Sequence, residues 1–133
     1  MKEENMRFGK FIKTKRQLDQ RDLTLRDVAD KLGLSVSMLS DIENGRRKPF
    51  DSEKIEQFCA LLNLSSDDKA RLYDLAAIEK SEVPYDIEDT MMFSQVGSLA
   101  RMALRMTNDG IADEEDWRSF IRQLEKKRGQ EDD

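Results

Sequence analysis

The sequence predicts an all-α protein, and three observations carry that prediction. Apolar residues recur at three- and four-residue intervals nearly throughout. Only two prolines occur, Pro49 and Pro84. Strand-like alternation of apolar and polar residues is scarce. The 133 residues suffice for one ordinary domain, or for one small domain with an appendage.

The elements follow in order. In "MRFGKFIKTKRQLDQ", Phe8, Phe11 and Ile12 fall at i, i+3 and i+4 and predict a first helix of about three turns. In "RDLTLRDVADKLG", Thr24 is the expected N-cap and Asp27 its capping-box partner, a weaker one than the usual Glu or Gln. Gly33 is the expected C-terminal stop, and Val28, Ala29 and Leu32 the buried face. In "SVSMLSDIENG", Ser35 caps, Leu39 and Ile42 turn inward, and Asn44-Gly45 ends the helix. "FDSEKIEQFCALLNL" sets Ile55, Phe58, Cys59 and Leu62 on one face, with Asp51 as N-cap and Phe50 and Ile55 as a hydrophobic staple. Cys59 reads as a small core hydrophobe rather than a reactive thiol. "SSDDKARLYDLAAIEK" opens with Ser and Asp caps and turns Leu72 and Ala76 inward.

"SEVPYD" breaks the pattern. Pro84 disfavours helix at Val83, which divides the chain into residues 1–82 and 83–133. Beyond it Met92, Val96, Leu99, Ala103 and Met106 form one apolar stripe, with a split expected at Gly97-Ser98. After the loop "NDGIAD", the segment "DEEDWRSFIRQLEKKRG" has acids in its first turn, Trp117, Phe120, Ile121 and Leu124 on one face, and Lys126, Lys127 and Arg128 before Gly129. The tail, 129–133, is expected to be disordered. This rear segment is too short to hold a core alone. Met92, Val96, Leu99, Trp117 and Phe120 are therefore expected to bury against the front domain, a second copy or another protein.

Composition removes several classes of chemistry. With no histidine, His-based metal sites, the Ser-His-Asp triad and His acid–base schemes are excluded. No Walker loop or dinucleotide-binding glycine pattern appears, and the carboxylates lie at helix-surface spacings. No catalytic residue, metal or cofactor is expected, and no enzyme. The longest apolar runs fall well short of a membrane span, and "MKEENMRFGK" lacks the apolar core of a signal peptide. A single cysteine and no export signal point to a reducing, cytoplasmic setting.

The formal net charge of −5 conceals an asymmetry. Residues 1–50 carry 12 Lys/Arg against 8 Asp/Glu, whereas residues 51–133 carry 11 against 20. A basic front and an acidic rear suggest surfaces with different partners. The second and third helices form the informative pair. A small residue, Ala29, suits the point where two steeply crossed helices touch, Gly33 suits the tight turn between them, and Leu39 packs beneath. This is the content of a helix-turn-helix, whose second helix offers its N-terminal side chains to a DNA major groove.

The stretch "TLRDVADKLGLSVSMLSDIENGRRKP", Thr24 to Pro49, resembles the Cro/C1-type (lambda-repressor-like, XRE) helix-turn-helix family of regulators. The resemblance extends over roughly residues 5–80. It implies a five-helix lambda-repressor-like DNA-binding domain, followed here by a short C-terminal helical extension. By matching position it assigns base-facing roles to Val36, Ser37 and Asp41, with Met38 and Ser40 adjacent. No Arg or Gln stands in this helix for a bidentate base contact, so DNA shape is expected to share in specificity. Asn44, Gly45, Arg46, Arg47 and Lys48 fall where similar proteins touch the DNA backbone, and Thr24 and Arg26 border the second helix's N-terminus. The family often has Gln at the first position of that helix; here it is Leu25, and Arg21 and Arg26 flank the gap. In the family an Arg late in the first helix pairs with a Glu at the position of Glu43. Arg16 extends the Phe8–Ile12 face and is the expected partner. The expected partners are double-stranded DNA and a second copy, with a basic toxin held by the acidic rear as the alternative.

Overall fold

The computed structural model describes residues 6–132, with side chains as far as Gln130. All regular elements among these residues are helical. They divide into two compact units, Met1–Glu88 and Asp89–Asp133.

The first unit holds five helices: α1 Phe8–Leu18, α2 Leu25–Leu32, α3 Val36–Glu43, α4 Ser52–Leu62 and α5 Ser66–Lys80. Each of α2 to α5 begins on a side-chain cap. Thr24 and Asp27 form a reciprocal capping box, and Ser35, Asp51 and Ser65 each accept from an amide three residues on. Such caps satisfy amides that have no partner inside the helix, each contributing about 1 kcal/mol. Gly33 closes α2 in the left-handed region, φ 69°, and Leu34 N–H returns to the Ala29 carbonyl at 2.9 Å.

The core forms where the apolar faces meet. Phe8, Phe11, Ile12, Val28, Leu32, Leu39, Ile55, Phe58 and Leu72 are its largest fully buried side chains. Phe8 meets Phe50 edge to face at 5.0 Å, and Phe50 leads on to Phe58. Ion pairs bind the rim: Arg7–Glu79 and Lys15–Asp68 join α1 and its N-cap to α5. Glu56 on α4 accepts from Lys69 and from the Tyr73 hydroxyl on α5. Burial and that bond push the Tyr73 phenol above its ordinary range.

The break between units lies six residues beyond the one expected at 82. Pro84 starts a 3-10 turn, Tyr85–Ile87, and that turn packs on α5, so the first unit continues through it. Proline's fixed φ initiates a turn as readily as it ends a helix.

The second unit comprises α6 Glu88–Phe93, whose first residue closes the first unit, α7 Gln95–Asn108 and α8 Glu114–Asp132. The split between α6 and α7 falls at Ser94, not at Gly97-Ser98. Ser94 accepts from the Gly97 amide and caps α7. Gly97 is instead where the two helices touch, because a Cβ there would strike the Thr90 and Met91 carbonyls. Asp113 and Asp116 form a reciprocal cap on α8. The helix passes through Gly129 to Asp132, where a stop and an unstructured tail were expected. One glycine costs a helix about 1 kcal/mol, too little to end it without a competing cap. Asp133 lies outside the described residues.

Candidate nucleic-acid interface

The site is built on α3. Leu39, Ile42 and Glu43 face inward, Leu39 fully buried and Glu43 6% exposed. The opposite side presents Ser37, Ser40, Asp41 and Asn44, at i, i+3, i+4 and i+7, as one polar row. Val36 and Met38 fall between these faces, half-buried against the core cluster. Of the five residues assigned to bases, Ser37, Ser40 and Asp41 stand in the outward row, and Val36 and Met38 also pack partly against the core.

The row is internally bonded. Asn44 donates its side-chain amide to the Ser40 carbonyl at 2.9 Å and more loosely to the Ser40 hydroxyl. Asp41 accepts from Arg46, with both Nε and Nη2 3.2 Å from Oδ1. Past Asn44 the chain turns through Gly45, φ 77°, into exposed Arg46, Arg47 and Lys48 before the buried Pro49 and Phe50. Among the described residues no ion pair engages Arg47 or Lys48, so two cations of the rim are available to an anion.

Arg16 and Glu43 set the tilt of α3 on α1. The guanidinium donates Nε–H to Oε2 at 2.8 Å and Nη2–H to Oε1 at 3.0 Å, and Nη1–H to the Leu23 carbonyl at 3.1 Å. This bidentate bond to Glu43 holds the Arg16 pKa above its ordinary value, against the opposing effect of burial. One clamp thus joins α1, α3 and the residue before the cap of α2.

Gly9 carries no motif in the sequence, yet it shapes the site. It is buried on α1 where the last turn of α3 crosses, and a Cβ there would meet the Ile42 and Glu43 carbonyl oxygens. The only available signal is a glycine inside an otherwise helical apolar pattern.

At the start of α2, Thr24 is occupied as the cap, while Arg26 is exposed on the first turn. Leu25 is half-buried against the core. Arg21 is exposed but already engaged. It donates to both Asp19 carboxylate oxygens at 2.8 Å and to the Leu61 carbonyl at 2.7 Å, tying the α1–α2 loop to α4. Those bonds hold Asp19 well below the usual carboxylate range, at about 2.

In the second unit, Met92, Val96, Leu99 and Phe120 are exposed. Trp117 is half-buried and donates its indole N–H to Thr107 at 2.9 Å, fastening α8 to α7. Arg101 caps the end of α6 through the Met91 carbonyl.

A capped, glycine-turned pair of crossed helices that presents a polar row and a basic rim defines a DNA-binding helix-turn-helix domain. Residues 12–69 match the family model described as helix-turn-helix, of the Cro/C1-type (XRE) kind that the sequence resembles. The family is one of DNA-binding transcription regulators. Comparison with curated proteins and with solved structures returned no match. No described helix is long and apolar enough to cross a membrane.

Proposed function

We propose that the protein is a sequence-specific repressor that occupies a double-stranded operator as a dimer in the cytoplasm. The observation that carries this reading is the outward row Ser37, Ser40, Asp41 and Asn44 running directly into exposed Arg46, Arg47 and Lys48. The row offers donors and acceptors to base edges, and the rim offers charge to phosphates. One short helix with two serines and a carboxylate reads few bases. Pairing two half-sites about 34 Å apart multiplies that limited readout. A single cysteine, buried and unpaired, accords with a reducing compartment.

The alternative, an acidic rear that clasps a basic toxin, has less support. The exposed apolar surface of α8 lies between an acidic block and a basic one rather than within a continuous acidic field.

Selection of bound duplexes from a random library with the full chain tests the proposal. The expected product is a pseudo-palindrome with half-sites about 10 base pairs apart, bound with steep salt dependence. Failure to retain any duplex at low salt would overturn it.

A further inference from the structure

We propose that α8 pairs with α8 of a second copy, antiparallel, across a twofold axis at Phe120 and Ile121. The proposal rests on the dimeric reading above and supplies its geometry.

The second unit does not bury its own apolar surface. Among its described residues no large apolar side chain is fully buried. Trp117 is turned to Thr107 on α7, while Phe120, Ile121 and Leu124 remain 50%, 48% and 42% exposed. An amphipathic helix left this open has an unfilled partner position.

Charge identifies the partner and its direction. Glu114, Glu115 and Asp116 open α8, and Lys126, Lys127 and Arg128 stand near its end, all exposed. The apolar residues 117, 120, 121 and 124 are centred between 120 and 121, and the two charged blocks are centred on 121. Two independent patterns are therefore centred within half a residue of each other, which is the condition for a helix to complement itself under a twofold rotation. An antiparallel pair sets each acidic block against the partner's basic block and each apolar row against itself. A parallel pair would oppose like charges at both ends.

Distance separates the effects. The blocks lie about 18 Å apart along one helix, beyond the ~8–10 Å screening length, whereas helices in contact are ~8–10 Å apart. Attraction between copies is thus the stronger use of these charges. In the single chain Glu114 and Glu115 pair with Arg118 and Arg122, but both pairs are exposed and readily share their carboxylates.

The competing explanation is local, since acids at a helix start and bases at its end favour the isolated helix through its dipole. The two explanations diverge when both blocks are reversed. Three variants of the full chain are compared with the parent by sedimentation velocity, with far-UV circular dichroism as a check on folding. They are Glu114→Lys/Glu115→Lys/Asp116→Lys, Lys126→Glu/Lys127→Glu/Arg128→Glu, and the two combined. Each single-block reversal should weaken self-association about tenfold or more. The combined reversal should restore it, because the complementarity is rebuilt with the signs exchanged. An equal mixture of the two single-block variants should form heterodimers.

A combined variant weaker than either single one would assign the charges to the helix dipole and overturn the proposal. So would a parent chain that stays monomeric at about 100 µM, or single reversals without effect. Duplex binding is not part of the readout. A chain that pairs in this way and ignores DNA would sink the regulator reading and leave the pairing standing.

Discussion

Asp41 and Arg46 are joined across the end of α3, with Nε and Nη2 of the guanidinium both 3.2 Å from one carboxylate oxygen. The carboxylate of the outward row on α3 therefore holds the first cation of the basic rim. Both groups are partly exposed, so the bond is weak enough to exchange for DNA. It also offsets the negative charge that an unpaired Asp41 would present to any approaching anion.

Replacing Asp41 by Asn should free Arg46 and strengthen binding to duplexes of any sequence. The slope of log K against log salt should steepen by about 0.9, the value for one further neutralised phosphate. Fluorescence anisotropy across a salt series measures it, and an unchanged slope would show that Arg46 gains nothing from release.

The combined variant Arg46→Ala/Arg47→Ala/Lys48→Ala should act oppositely. Affinity should fall to a similar extent on specific and non-specific duplexes, and the salt slope should flatten by about 0.9 for each phosphate that the rim no longer neutralises. An effect confined to one sequence would place these residues at bases instead.

Arg16→Met or Glu43→Gln alone should lower stability by about 3–5 kcal/mol, because each leaves a largely buried partner unpaired. Arg16→Met/Glu43→Leu together should recover much of that. Lys10→Ala, at an exposed position, should stay within about 0.5 kcal/mol of the parent. Urea unfolding of the four chains decides the matter; equal midpoints for the Arg16 and Lys10 variants would contradict the clamp.

Gly9→Ala should cost about 1–3 kcal/mol, since the added methyl meets backbone carbonyls that cannot swing aside. It should also weaken DNA binding at temperatures where the domain remains folded, because α3 must move. A variant with parent-like melting and affinity would show that the crossing has room.

Burial pushes the Cys59 thiol up to about 11, from 9.0. The folded state thus keeps a proton that the unfolded chain releases. Stability from this source is complete below pH 9.0 and is lost as pH rises to about 11. Tyr73, also raised, adds a loss in the same direction at higher pH. Cys59→Ala should flatten the decline between pH 9.0 and about 11 while lowering stability at neutral pH. Slow reaction of the native thiol with a disulfide reagent at about pH 8 is the companion expectation.

Much of this was legible in local sequence. Thr24, Ser35, Asp51 and Gly33 announce their helix ends because capping depends on neighbours within four residues. The Arg16–Glu43 geometry was legible because a cation on an apolar face requires a partner, and the family resemblance indicated which one. Features that depend on tertiary geometry were not. Gly9 and Gly97 look like weak points in helices until a second backbone is laid across them. Nothing local to Arg21 in the sequence announces that its guanidinium reaches a carbonyl on α4. Val36 matches a base-reading position and Met38 lies beside one, yet both are also partly buried against the core, a depth that helical periodicity leaves open.

The bare crossing at Gly9 has an evolutionary corollary. Because the last turn of α3 rests directly on another main chain, with no side chain as a spacer, its seat is indifferent to the identities of Ser37, Ser40 and Asp41. Those positions can vary without disturbing the mounting, so a lineage can alter this face while keeping its scaffold intact.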